Sequence, residues 1–348
     1  MPDRTPGEEL HEVVVVGAGI AGLACAGALA AAGRRPLVVD KGRGVGGRCA
    51  TRRVHEQAVD HGVAFFHGDD PEFLAALAAV PATALHGWPR QVVGRGPPCQ
   101  PEAFTRGYTR LAFVEGATAL PKALARGLML RLETRIAAIE ATDGELVLRL
   151  EHGPSLRTRE LVLTPPAAQT LALLPAGAEL ASARALLELV PAQPCITLML
   201  GYPGDGPRPE FDVCYPEASP LQMIVHDSAK RAAPRQLVLV VQATRAWSRA
   251  HLDEEASSWQ ATLLAEVARL VGPWAREPVW LESHRWRYAH AGSPAMAAPM
   301  LVTLPHGNRI GLTGEAFCAG AGVQGAYLAG LALARRMLAG QASGEETR

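Results

Sequence analysis

The 348-residue chain is long enough for one large or two intertwined domains, carries 34 basic and 34 acidic side chains and so no net charge, and is 48% hydrophobic. A zero balance provides no broad basic field to collect nucleic acid or anionic lipid, so a small-molecule partner is expected. Six cysteines (Cys25, Cys49, Cys99, Cys195, Cys214 and Cys318) show neither a Cys-x-x-Cys pair nor zinc spacing, so no metal site is expected and a reduced, cytoplasmic setting is.

Residues 1–11 are polar and expected to be loose, and the acids Asp3, Glu8, Glu9 and Glu12 are the opposite of the basic start of an export signal. The β-branched run Val13 to Val16 then ends in Gly17-Ala18-Gly19-Ile20-Ala21-Gly22, and an alanine-rich stretch follows. This reads as strand, tight turn and helix. Gly17 turns the chain, Gly19 admits a pyrophosphate against the backbone, and Gly22 lets the helix pack on the strand, while the helix start at Ile20 and Ala21 offers unpaired N–H groups. The small residues of 13–32 give too little hydrophobic drive for a membrane span. A second strand, Leu37-Val38-Val39, ends in Asp40, placed to accept hydrogen bonds from an adenosine ribose and to repel a 2′-phosphate.

A second glycine-rich stretch, Lys41-Gly42-Arg43-Gly44-Val45-Gly46-Gly47-Arg48, is basic. Alone it reads as a solvated, flexible loop, but directly after a ribose-binding acid it reads as part of the same cofactor site, Lys41 included: Gly46 and Gly47 let backbone lie against a flat ring or phosphate, and Arg48 neutralises pyrophosphate charge. The order of glycine motif, acid, Gly46-Gly47-Arg48, Thr51-Arg52-Arg53 and Asp60-His61-Gly62-Val63-Ala64-Phe65-Phe66 resembles the flavin amine oxidase superfamily, and within it the renalase-like proteins. The resemblance implies FAD at the first motif and a flavin ring near His61 and Gly62. His61 departs from the family pattern, and both a packed histidine and a pocket residue remain open for it.

Residues 67–113 are mixed, with prolines at 97, 98 and 101 that suggest a crossing between domains. A short helix with Pro121 in its first turn follows, then short strands at Leu130–Leu132, Arg135–Ile139, Leu146–Leu150 and Leu161–Leu163, the last stopped by Thr164-Pro165-Pro166. The resemblance places Ile136 beside the adenine and Thr164 under the flavin. From about 175 to 300 the pattern suggests a separate sheet with covering helices, its strands at Ile196–Leu200, Leu221–Val225 and Leu237–Val241. Residues 256–271 carry a helical stripe of Trp259, Leu263, Val267 and Leu270.

Two segments of this region resemble renalase-like proteins more than monoamine oxidases: Ala243-Thr244-Arg245-Ala246-Trp247-Ser248 with Leu252-Asp253, and His284-Arg285-Trp286-Arg287-Tyr288-Ala289. In the second, Trp286 and Tyr288 share one strand face and Arg285 and Arg287 the other. The aromatic face suits either a pocket wall for a flat substrate or an ordinary half-buried sheet face. Arg309 to Leu312, Thr313-Gly314-Glu315 and a helix opening at Gly322-Val323-Gln324-Gly325-Ala326 resemble the superfamily's C-terminal flavin motif. Gly314, Glu315, Val323, Gln324 and Ala326 are thereby implied as cofactor contacts, with Gln324 standing where relatives carry an acid.

The expected fold is α/β: a Rossmann-like FAD-binding domain of the glutathione reductase/p-hydroxybenzoate hydroxylase type (1–85, 114–170 and 300–348) with an interleaved α+β substrate domain (86–113 and 171–299). The expected function is that of a renalase-like oxidase, in which isomeric dihydro-NAD(P) reduces FAD and dioxygen is the acceptor. His61, Trp286 and Tyr288 are the pocket candidates. No catalytic acid, base or nucleophile is assigned, since hydride transfer needs none. Rivals are an amine oxidase, a non-catalytic FAD or dinucleotide sensor, and an NAD-dependent dehydrogenase.

Overall fold

Four consecutive valines, Val13 to Val16, are fully or almost fully buried, which only a central strand covered on both faces allows. In the computed structural model, which describes residues 9–292, 298–318 and 322–345, the strand Glu9–Val16 begins inside the stretch expected to be loose. Its side chains divide by alternation: Val14 and Val16 enter one core, Val13 and Val15 the other. Parallel neighbours lie on each side, Pro36–Val39 then Met129–Arg131, and Leu156–Leu163 then Arg309–Leu312. Antiparallel strands extend the sheet at Leu146–Leu150, Ile136–Ala141 and Met300–Thr303.

The helices Ile20–Ala31 and Gly322–Glu345 pack on the Val13/Val15 face through Leu23, Cys25, Ala26 and Leu29 from one and Leu333, Ala334 and Met337 from the other. Small residues let them approach closely: a Cβ on Gly330 would stand 2.3 Å from the Ala21 carbonyl oxygen. The far ends of the chain therefore pack together. The Val14/Val16 face is covered by Leu174, Leu180, Leu187, Leu304 and Phe317.

The chain divides into two units, Met1–Gly47 with Pro121–Ala192 and Ala291–Arg348, and Arg48–Leu120 with Gln193–His290. The cuts fall at 47, 120, 192 and 290, against expected boundaries near 85, 113, 170 and 299. Residues 48–85 go with the second unit because Val54, Val59, Ala64 and Phe65 share a core with Met199, Val213, Met223, Val238 and Val240. That unit is built on a six-stranded sheet in the order Trp280–Ala291, Ala192–Pro203, Gln236–Ala243, Leu221–His226, Val213–Cys214 and Val92–Val93. Leu237, Leu239 and Val241 face the helix Ala256–Val271 through Trp259, Leu263 and Val267, while Val238 and Val240 face the opposite core. A ribbon of Thr51–Val54 and Gln57–Asp60 and a small sheet of Phe66–Gly68, Thr109–Phe113 and Ala84–His86 complete it.

The fold is mixed α/β, with a Rossmann-like nucleotide domain. Among the described residues no helix is long and apolar enough to cross a membrane, and no cluster of histidine, cysteine and acidic groups could hold a metal ion.

Candidate active site

In the first unit the glycines of the opening turn separate by what surrounds them. Gly17 has φ +110° and lies so near Thr164 that a Cβ would stand 2.2 Å from its hydroxyl, and a Cβ on Gly22 would stand 2.0 Å from the Gly17 carbonyl oxygen. Both are glycine because the chain itself fills the space. A Cβ on Gly19 would meet nothing within 4 Å. The helix starting at Ile20, Ala21 and Gly22 has no side-chain cap on Gly19 and no acid in its first turn, so its N–H groups and positive end suit a pyrophosphate in that open space.

Asp40 completes the turn. Its Oδ2 accepts the Ala18 N–H at 2.7 Å and its Oδ1 the Gly42 N–H at 2.6 Å. A carboxylate with about four lone-pair sites still has acceptors for ribose hydroxyls. The second glycine-rich segment folds back over the turn: the Gly46 N–H donates to the Ala18 carbonyl, and a Cβ on Gly47 would come 3.9 Å from Gly19 Cα. Lys41 Nζ donates to Gln169 Oε1 at 3.2 Å. Thr134, two residues before Ile136, donates its N–H to the Asp40 carbonyl, while the Ile136 side chain itself is in the core.

Thr164 joins the front of the chain to its end. Its hydroxyl donates to the Val16 carbonyl at 2.9 Å, and its own carbonyl oxygen would lie 3.3 Å from a Cβ on Gly314. Glu315 Oε2 accepts the Ala291 N–H at 3.1 Å. Thr313 Oγ1 is buried with no partner among the described residues, an orphan hydroxyl beside Gly314 that a bound polyol or phosphate would satisfy. Val323, Gln324 and Ala326 lie at the start of the last helix. The open Gly19 space, the uncapped helix end and this hydroxyl together fit a flavin dinucleotide.

The second unit holds the remaining candidates. His61 is buried and its ring lies 4.9 Å from that of Trp286 and 5.0 Å from that of His284. Burial, with the nearby His284 and Arg52, pushes the His61 imidazole down to about 4, and burial with Arg52 also lowers His284. Both rings are therefore neutral at pH 7. Tyr288 shares the strand face of Trp286. Arg285 and Arg287 point away, Arg285 donating to the Leu252 and Glu254 carbonyls and Arg287 to Asp253.

The segment around His61 is held residue by residue. The His61 carbonyl accepts the Trp286 indole N–H at 3.1 Å, the Gly62 carbonyl accepts Gln242 Nε2 at 2.7 Å, and the Val63 N–H donates to the Arg48 carbonyl at 3.1 Å. A Cβ on Gly62 would stand 2.2 Å from that Arg48 oxygen. The Arg48 guanidinium donates from Nη1 to the Ala289 carbonyl at 3.0 Å.

Beneath lies a charge cluster that motif reading missed. Lys230 Nζ is 2.7 Å from both Asp60 Oδ2 and Asp227 Oδ1 and donates to the Ala64 carbonyl at 2.9 Å. Arg231 Nη2 bridges the same two carboxylates at 2.9 and 2.8 Å. The only forewarning was the spacing Asp227-x-x-Lys230-Arg231, which alone reads as a solvated turn. The segment at 243–253 is likewise positional: Ser248 Oγ accepts the Ile196 N–H, and Asp253 holds Arg287 of the strand that carries Trp286.

This fold with an open cradle at its first turn belongs to the class of flavin-dependent oxidoreductases. Residues 15–80 match the NAD(P)-binding Rossmann-like domain and residues 99–338, well over half the chain, match the flavin containing amine oxidoreductases; the chain belongs to that family and is an FAD-dependent oxidoreductase. Among solved structures it resembles putrescine oxidase (14% identity, TM-score 0.71, covering 95% of this chain and 99% of that one). Similar likenesses are a putative protoporphyrinogen oxidase from Exiguobacterium sp. 255-15 (16%, 0.70, 95% and 99%) and cyclohexylamine oxidase from Brevibacterium oxydans IH-35A (14%, 0.66, 94% and 99%). At such identities the likeness is one of fold.

Proposed function

We propose that this oxidoreductase is renalase-like, oxidising off-pathway dihydro isomers of NAD(P)H to NAD(P)+ with dioxygen as acceptor. The observation that carries this reading is the use made of lysine. The chain has three, Lys41, Lys122 and Lys230, and the one in the second unit is fully buried between Asp60 and Asp227. No lysine of that unit is left to hold the water that amine oxidases often use, whereas a dihydronicotinamide, which gives up hydride without a base, needs none. The neutral His61, His284 and Trp286 rings suit a flat, uncharged ring.

The first unit is proposed as the FAD domain, with Gly17, Gly19, Ile20, Ala21, Gly22, Asp40, Lys41 and Gly47 toward the adenosine and pyrophosphate and Gly314, Glu315, Val323, Gln324 and Ala326 toward the flavin. The second unit is proposed as the substrate domain. Bound FAD supplies the redox chemistry: hydride acceptance from the substrate, with reoxidation by dioxygen to hydrogen peroxide. The protein's part is to bind, orient and keep water out. None of the six cysteines forms a disulfide, which supports a cytoplasmic location.

A second reading, amine oxidation, draws support from family membership and from neighbours whose names include putrescine oxidase and cyclohexylamine oxidase. Anaerobic stopped-flow mixing separates the two. Flavin bleaching by dihydro-NAD isomers, far faster than by NADH, putrescine or cyclohexylamine, is the expected result. Preferential bleaching by either amine would transfer the assignment to amine oxidation.

A further inference from the structure

The strand Trp280–Ala291 turns Glu282, His284 and Trp286 to one face by its two-residue alternation. Arg52 approaches that face from the ribbon, its Nη2 3.9 Å from Glu282 Oε2. In the ribbon Arg52 is paired with Val59. Cross-strand partners project to the same side, so Arg52 lies on the Val59 side of the ribbon, whose second strand ends at Asp60, one residue before His61. The contact with Glu282 thus places the guanidinium at the strand face that carries His284 and Trp286, and His61 is stacked on that Trp286.

That guanidinium is available. A separation of 3.9 Å is an ion pair without a hydrogen bond, and Glu282 is shared with His55, whose Nε2 lies 3.8 Å from its other oxygen. Arg52 is exposed. The neighbouring Arg53 falls on the other side of the ribbon and donates to the Glu56 carbonyl at 3.4 Å. Its charge therefore does not face the rings. The lowered basicity of His61 and His284, to which Arg52 contributes, agrees with a cation within electrostatic reach of both.

A cluster of neutral rings, His61 stacked on Trp286 and His284 edge-on to both, with a forked cation at its edge recognises a ligand that is planar at one end and anionic at the other. The geometry points to Arg52 as the anchor for the phosphate of a dihydronicotinamide nucleotide, and hence as the residue that selects nucleotide over riboside. This rests on the dihydronicotinamide reading above.

The test compares off-pathway dihydro isomers of nicotinamide mononucleotide and of nicotinamide riboside, which differ only in the phosphate, by half-saturation of flavin bleaching and by quenching of tryptophan fluorescence. Wild-type protein is expected to favour the mononucleotide by about tenfold or more, the scale of one charge-assisted hydrogen bond. The preference shrinks with added salt. Arg52→Gln abolishes it by weakening the mononucleotide alone, and Arg53→Gln keeps it. Equal response to both compounds in the wild type, or a preference that survives Arg52→Gln, overturns the anchor while leaving the reaction in place. If neither compound binds or bleaches, the reaction assignment fails and the anchor with it.

Discussion

Lys230→Met is expected to cost about 3–5 kcal/mol of folding stability, the penalty for leaving a buried charge without its partner. That is a fifth or more of the roughly 5–15 kcal/mol that holds an ordinary domain together. Lys230 is almost wholly buried, and its ammonium is the near neighbour of two buried carboxylates. Burial by itself pushes the Asp60 carboxyl up. The charges of Lys230 and Arg231 and hydrogen bonds from Lys230 and Thr51 outweigh it and hold the group down at about 2. A carboxyl depressed on folding stabilises the protein above its ordinary value of 3.8, and that contribution is lost as pH falls through 2.

In Lys230→Met the sign of the pH effect becomes the diagnostic. Arg231 alone cannot neutralise Asp60 and Asp227, so one negative charge is stranded at neutral pH, and acid, by protonating it, narrows the gap to wild type. Urea denaturation at neutral and mildly acidic pH measures this. A double variant, Lys230→Met with Asp227→Leu, should recover part of the loss because it removes the stranded charge. A single variant within about 1 kcal/mol of wild type, the ordinary worth of an exposed pair, would show that the cluster is not structural.

The second large effect is expected at Gly22→Ala. The added Cβ would stand 2.0 Å from the Gly17 carbonyl oxygen and 3.2 Å from Thr164 Oγ1, so either the turn or the helix must move. Overpacking of this kind costs about 1–3 kcal/mol, and because the turn sets where the first N–H groups point, FAD binding should fall with stability. Gly27→Ala, five residues along the same helix, provides the internal control. Its Cβ would meet nothing within 4 Å, and exchanging glycine for alanine in a helix interior gains up to about 1 kcal/mol. Thermal melts of the two FAD-free variants should move in opposite directions. A Gly22→Ala protein as stable as Gly27→Ala would refute close packing of helix on turn.

How legible this was follows from the range of the interactions. The strand from Val13, the three glycines and Asp40 were readable because their requirements are local: a buried strand, a turn and an acid at the end of the next strand. The alternation of Trp286 and Tyr288 with Arg285 and Arg287 was readable for the same reason, a period of two along one strand. The contacts around His61 were not. Asp60 and Lys230 are 170 residues apart, and in a linear reading Lys230 and Arg231 are simply charges on a turn. For Arg48 a basic residue after a glycine pair reads as a phosphate ligand, and the bond from its guanidinium to the carbonyl of Ala289 was not readable beside it. That bond depends on a strand far along the chain.

The claim on which the rest depends is that Gly19 is glycine for the sake of a bound nucleotide, since among the described residues no atom outside 18–20 stands within 4 Å of where its Cβ would be. The direct measurement is FAD titration of wild-type and Gly19→Ala protein, both stripped of flavin, with urea denaturation of the same flavin-free samples. The account predicts FAD binding weakened by about tenfold or more, with a stability loss of no more than about 1 kcal/mol, that of an alanine at a helix N-cap. Undiminished FAD affinity in Gly19→Ala would contradict it.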